Sequence, residues 1–513
     1  MRKILITIWM FTLVVTLFSC GPRVNVKGYF LDIEERTTSI SFSVEIEDPN
    51  EEITGNVVAE LVDVKTDTVI TYETLDQNNQ SKIVKFDELD NQGDYRIDVR
   101  ATIGRDSIVI ISHDVNLQSL LTVTINTVED FMAMGDNPEG NYILGQDIDF
   151  SGHDFISPFE NTKKTFSGTF DGNGFTLSNI TFVSSSGNIG IFAYVSTGTI
   201  KNLDITNVKI GSHDERMETQ NVYRIGILAG HVANPQAIIE NISINQAEIF
   251  VKSNSTYQLY VGGLVGDLRS VAKNITQNNV EIDVLTTSYA KISVGGIAGL
   301  IGDKGGLRQV NSNAEINLEV KGDYVDISQK TWNISVGGTV GDLNSSLSRA
   351  LQDVFHVGNI DVNLDFGTPS GQKGTYNVYV GGLTGQSYSQ IYQAYYQGSI
   401  NFNHTTNEFE TNIIKSFYVG GISGYYGSNN RIDRALFSNT SNGININASE
   451  ESKFYLSYTL GFNLAGLEHE ISYYGNGLLT KNGNEYDELK PSIQIDTMDG
   501  YFTSDFMINL LIN

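Results

Sequence analysis

The chain has 513 residues and carries 60 acidic against 33 basic side chains, a formal net charge of −27. That length is too great for one ordinary core and calls for several domains or a repeat array. The charge repels nucleic acid phosphates over most of the surface and excludes nucleic acid as a partner, while 50 Gly, only seven Pro and a wealth of Val, Ile and Thr favour an ordered all-β chain over a disordered one.

Met1, Arg2 and Lys3 precede an apolar run from Ile4 to Phe18. This is a charged n-region and an h-region too short for a comfortable membrane span, so residues 1–19 read as an export signal. The run closes on Leu17-Phe18-Ser19-Cys20-Gly21, which resembles the bacterial lipobox. The resemblance implies that Cys20 receives lipid, that residues 20–23 form a lipidated linker, and that the exported protein is anchored to a membrane at the cell surface. Each buried CH₂ of an acyl chain contributes about 0.8 kcal/mol, enough for a multiply acylated terminus to anchor stably. Cys20 is the one cysteine of the chain, so internal disulfides and a thiolate zinc centre are excluded.

Residues 24–119 alternate polar and apolar in short runs, as in Ile40-Ser41-Phe42-Ser43-Val44 and Val57-Val58-Ala59-Glu60-Leu61, the pattern of a β-sandwich. Leu89 lies six residues before Tyr95, and Ile97, Val99 and Ala101 alternate after it. The segment resembles the fibronectin type III signature, which implies a corner tyrosine with a buried ring; no tryptophan of the kind usual in that family lies in this region. The role expected of this domain is a spacer.

From Asn141 the pattern changes. Asp171-Gly172-Asn173-Gly174 marks a tight turn between alternating strands. A box of aliphatic, Gly, small or apolar, apolar, any and Gly then recurs at Ile225–Gly230, Val261–Gly266, Val294–Gly299, Val336–Gly341, Val380–Gly385 and Val419–Gly424, with degenerate copies at Ile189-Gly190 and Leu460-Gly461. Each box is followed by a polar landmark, namely Asn202, Asn241, Asn274, Gln309, Asp353, Gln393 and Arg434 in turn, and then by an alternating strand. Two landmarks in step define a repeat. One unit of about 40 residues cannot bury enough apolar surface to order itself, so the units must stack into a solenoid of seven or eight coils. The glycines fit places where coils approach closely, and the landmark column fits a ladder of stacked amides.

The box resembles the GLUG motif of bacterial surface proteins, which is found also in the accessory region of IgA-cleaving metallopeptidases. The resemblance implies a right-handed parallel β-helix of the pectate-lyase-like type over residues 120–470 and a role in surface display, adhesion or positioning of a partner domain; no cofactor is expected. Residues 471–513 depart from the repeat and read as a C-terminal cap over open strands.

Catalysis by a zinc peptidase requires His-Glu-x-x-His on a helix, and His469-Glu470 lacks the second histidine. The remaining histidines, His113, His153, His213, His231, His356 and His404, are scattered singly, as surface or turn residues are, so no metal site is expected. A polysaccharide-acting β-helix enzyme is one alternative, with Asp147, Asp149, His153 and Asp154 the nearest sequence cluster, and a purely structural stalk is another. For binding, the variable stretches before the boxes are the informative ones: Gly211 to Tyr223, Lys252 to Leu259, Lys321 to Asn333, Gly367 to Asn377 and His404 to Ser416. Tyr260, Tyr379 and Tyr418 stand just before three boxes, where alternation turns them away from the core, so an exposed tyrosine column facing an extracellular glycan or protein is the site expected of an adhesion scaffold.

Overall fold

A computed structural model describes residues 25–510 apart from short stretches, of which 322–330, 366–374 and 406–413 are the longest. Residues 1–24, with Cys20 and the segment expected to be an export signal, lie outside the described residues, as does much of the variable stretches before the boxes. The chain divides into two compact units, Met1–Leu121 and Thr122–Asn513.

The first unit is a sandwich of two antiparallel sheets. One holds Lys27–Arg36, Ser39–Glu47 and Val84–Phe86; the other orders Thr68–Leu75, Val57–Asp63, Asp94–Ile103 and Asp106–Asn116. Period-two alternation sends Ile40, Phe42 and Val44 from one sheet, and Val57, Ala59, Leu61, Ile97, Val99 and Ala101 from the other, into a shared core. Leu89 and Tyr95 join that core. The Tyr95 ring folds back over Gly93, in space that a side chain at 93 would fill.

The second unit is a parallel β-solenoid. It opens with a short helix, Val128–Ala133, whose first turn is closed by a capping box between Thr127 and Asp130. Phe131 plugs the end of the core, 5.6 Å from Phe150 and 5.9 Å from both Phe170 and Phe192. Three parallel sheets run from there, one long sheet and two of eight strands each. The core is continuous through every coil because each box and the strand that leaves it deliver aliphatics such as Val261, Leu264, Val265 and Leu268 to it.

Register follows the boxes. Their first glycines pair in succession, Gly226 with Gly262, then Gly295, Gly337, Gly381 and Gly420. The last copy departs from expectation, since Gly420 pairs with Ser457 and not with Gly461. Gly461 takes instead the place of the final box glycine: a Cβ there would lie 2.6 Å from the Gly424 carbonyl oxygen, in the way a Cβ on Gly424 would press on Val380. Leu456-Ser457 suffices at the first position because it keeps an inward aliphatic and a small neighbour.

All seven landmarks adopt left-handed backbone, with φ between 48° and 58°. Asn tolerates this conformation better than most residues. The amide ladder is present where the landmarks are asparagines: Asn202 donates to Asp171 at 3.0 Å, Asn241 to Asn202 at 2.8 Å and Asn274 to Asn241 at 2.8 Å. A second bend, which the sequence pattern did not single out, follows five residues later at Asn207, Gln246 and Asn279. Past the last box, Glu470–Tyr474 and Leu479–Lys481 continue the long sheet. The end of the chain lies along the solenoid's side, with Phe502 and Met507 buried against Tyr395 and Leu436 and the Ser504 amide donating to Gln393 Oε1 at 2.9 Å.

Candidate binding seam

The boxes bring two outward columns of side chains together. Just before each box stand Arg224, Tyr260, Ser293, Ser335, Tyr379 and Tyr418, continued by Tyr455, in one short sheet. Just after each box's last glycine stand His231, Asp267, Leu300, Asp342, Gln386 and Tyr425 in the other. Glycine is the reason the columns meet. A Cβ on Gly262 would lie 2.6 Å from the Ala298 Cα, and one on Gly266 would lie 2.6 Å from the Ile225 amide nitrogen. Backbone therefore presses on backbone, and the flanking side chains converge in a seam on the outside.

That convergence corrects the expected exposure of the tyrosines. Tyr260 and Tyr379 point away from the core yet are only 5% and 9% exposed, and Tyr418 is half-buried, because the facing column covers them. Tyr379 and Tyr418 come together: their rings stack at 5.0 Å and 19°, and Tyr418 stacks on Tyr455 at 4.7 Å and 2°. Tyr425 meets both edge-on, 5.5 Å from Tyr379 and 5.8 Å from Tyr418, and Tyr388 flanks Tyr425 at 5.8 Å. Tyr260 stands apart, separated from this cluster by the coils of Ser293 and Ser335; the Lys291 ammonium lies 5.8 Å from its ring and pairs with Asp342.

The other end of the seam is charged. Asp267 is fully buried and accepts from Arg224 Nε at 2.9 Å, with Arg269 Nε at 3.4 Å and His231 Nε2 at 3.4 Å. Burial pushes the His231 imidazole down to about 4, against the pull of Asp267, so the ring is neutral near pH 7. Arg269 extends the network to Asp303 at 2.9 Å.

Three of the scattered histidines prove to be buried, contrary to a surface or turn placement. His231 lies in the seam; His356 is fully enclosed in the core, stacked on Tyr396; His404 packs against Phe417 at 5.0 Å. Gly296 and Gly338 make room for His356, since a Cβ on either would lie 2.7 to 2.9 Å from its ring. The carboxylates near the first coil act on turns: Asp147 accepts from the Thr176 amide at 2.8 Å, and Asp149 from Asn179 at 2.7 Å and the Ser151 amide at 2.8 Å. His153 lies 3.8 Å from Glu129. A denser set stands farther along, where Glu248, Glu281 and Glu315 align in register on three coils. Burial raises the Glu281 carboxyl above its ordinary value, and Asp283 and Glu248 add to the shift. Asp283 itself is held by both arms of Arg216 at 2.8 Å. Among the described residues no group of three or more His, Cys, Asp and Glu is placed to hold a metal ion.

Asp267, Asp342, Gln386, Tyr388 and Tyr425 were not singled out from the sequence. For all of these but Tyr388, the signal was available in the position directly after each box's last glycine, which mirrors the tyrosine position before it.

Two comparisons with known proteins bear on the solenoid. No curated protein matches the chain. Residues 125–245, from the strand before the capping helix through the first polar landmarks, match the model of the M26 IgA1-specific metallo-endopeptidase N-terminal region, and in that stretch the chain is similar to that region of those peptidases.

Proposed function

We propose that the chain is a lipid-anchored, cell-surface scaffold for adhesion and binding, built on GLUG-type repeats, whose ligand face is the tyrosine end of the seam with the loops that precede the boxes. The observation that carries this reading is the cluster of Tyr379, Tyr388, Tyr418, Tyr425 and Tyr455 on the outside of the solenoid. Coil stability does not call for aromatic residues there, since the same columns hold Ser293, Ser335 and Leu300 in other coils. Export and anchoring rest on the n-region, the apolar run and Leu17-Phe18-Ser19-Cys20. The ligand class is an extracellular glycan or protein.

Screening the chain against arrays of glycans and extracellular proteins tests the reading. Selective binding that a Tyr418→Ala, Tyr425→Ala variant loses while keeping its fold supports it; silence of the wild type on both arrays overturns it. Incorporation of labelled fatty acid in cells, abolished by Cys20→Ser, supports the anchor, and incorporation unchanged by that substitution refutes it.

A second reading, a polysaccharide-acting enzyme, draws on the aligned Glu248, Glu281 and Glu315 with the raised Glu281 carboxyl. Release of new reducing ends from a polysaccharide, lost in Glu281→Gln, would replace binding by catalysis.

A further inference from the structure

One ring at the tyrosine end of the seam is turned to water. Tyr388 is 42% exposed, and among the described large apolar side chains of the solenoid that are as open (Val123, Ile156, Val183 and Ile238 are the others) it alone is aromatic. Its placement is built in. The Tyr388 amide donates to the Leu343 carbonyl of the preceding coil at 2.8 Å, and the Gln386 side-chain amide donates to its hydroxyl. A Cβ on Gly427 of the following coil would lie 2.7 Å from the Tyr388 Cε1 and 2.8 Å from its Cδ1. One side of the ring thus rests against backbone left bare by a glycine, and the other is open.

Polar groups border this ring. Gln386 is in register with Asp342 of the preceding coil, and Asp342 is paired with Lys291. Amide, carboxylate and ammonium supply both donors and acceptors beside an open aromatic surface.

The chemistry of the occupant follows from what is already satisfied. Arg224 and Arg269 pair with Asp267, Arg269 also with Asp303, and Lys291 with Asp342, so the seam's positive and negative charges balance and neither an anion nor a cation finds an uncompensated partner. An anionic ligand is further opposed by the net charge of −27. One open ring is also a small target for a protein partner, since a stable interface takes about 800 Å² from each side. A neutral pyranose fits all three conditions. Its C–H face lies on a flat ring, and its hydroxyls exchange hydrogen bonds with a few fixed polar groups.

We propose that Tyr388 is the stacking platform of a subsite for a neutral pyranose within a glycan, with Gln386, Lys291 and Asp342 as its polar rim. The inference rests on the seam being a ligand face and assigns that face its ligand class.

The test uses the full chain in detergent on a printed array of neutral, sialylated and sulfated oligosaccharides beside a panel of extracellular proteins. Three variants accompany it: Tyr388→Ala, Tyr388→Trp and, as a control on the sandwich, Tyr72→Ala, whose ring is 64% exposed. The expected result is binding to a neutral glycan that falls about tenfold in Tyr388→Ala, the scale of one lost aromatic contact, and persists in Tyr388→Trp and Tyr72→Ala. Thermal melts of all three stay with the wild type because both rings are exposed. Neutral-glycan binding indifferent to Tyr388→Ala overturns the subsite. Binding confined to acidic glycans or to proteins overturns the neutral-sugar assignment, and its loss in the Tyr418→Ala, Tyr425→Ala variant described above would leave the seam standing as a ligand face. Silence of the wild type on every probe overturns both.

Discussion

The ring of Tyr396 occupies the space that a side chain on Gly382 would need: a Cβ there would lie 2.5 Å from the Tyr396 Cε1. The same relationship joins Gly338 to the His356 ring, at 2.7 Å from Cδ2, and Gly263 to the Gln277 amide. The second glycine of a box is thus matched to a bulky core residue later in its own coil. Gly382→Ala is expected to cost about 1 to 3 kcal/mol through overpacking, read as a lower midpoint of chemical unfolding. In a Tyr396→Leu background the same substitution costs less, because the two positions are coupled. Gly302→Ala, where a Cβ meets nothing within 4 Å, leaves the midpoint near its original value.

Stability is expected to fall on mild acidification. Burial pushes His356 down to about 3 and His231 down to about 4, whereas an unfolded histidine titrates near 6.5. Below pH 6.5 the unfolded chain takes up protons that the folded chain refuses, so each histidine withdraws up to about 1.4 kcal/mol per pH unit. The loss runs from about 6.5 to 4 for His231 and to 3 for His356. Phe437 stands in the same core column as His356, which makes His356→Phe the variant of choice. Unfolding midpoints at pH 7.5 and 5.0 should differ less in that variant; an equal difference would count against the mechanism.

Removing the buried acid of the seam should expose the cost of taking a counter-charge from the cations around it. Asp267→Ala leaves Arg224 and Arg269 facing a fully buried gap, and such a loss amounts to about 3 to 5 kcal/mol. Arg269→Ala, at the more open edge of the network, costs less than about 1 kcal/mol. Comparable losses in the two variants, measured by urea unfolding, would show that the network is not organised around Asp267.

The amide ladder separates backbone from side-chain effects. Asn241 combines a φ of 56° with hydrogen bonds to Asn202 and Asn274. Asn241→Ala should cost about 1 to 3 kcal/mol, from left-handed strain together with lost amide bonds. Asn241→Gly keeps the backbone free of strain and should recover part of the thermal shift, leaving the ladder's share.

Much of this architecture was legible because a solenoid repeats its demands. A glycine forced by backbone contact at Gly262 is forced again at Gly295 and Gly337, so the boxes announce their own register. Ser457 escaped notice because the pattern weakens at the last coil, and Gly461 offered a false match four residues on. The bends at Gln246 and Asn279 lie inside single long strands and show only as a slip in the alternation, from Ile244 to Ala247 and from Gln277 to Val280. Tyr260 and Tyr379 were placed on the correct face and given the wrong exposure: period-two alternation tells which way a side chain points, but not that a second column will close over it. Tyr388 lies outside both the box and the alternating strand, and its openness depends on Gly427 in another coil.

The unequal coil lengths have a consequence of their own. Between the in-register residues Ser253, Thr286, Val320, Leu364, His404 and Ala448 and the next coil's Gly262, Gly295, Gly337, Gly381, Gly420 and Ser457 lie steps of 9, 9, 17, 17, 16 and 9 residues. Nearly twofold differences in length at this one place leave the strand pairings on either side aligned. Insertions and deletions there act as edits to a margin rather than to the text. A lineage carrying this fold is free to lengthen, shorten or exchange what it displays beside the seam, one coil at a time, without renegotiating how the protein folds.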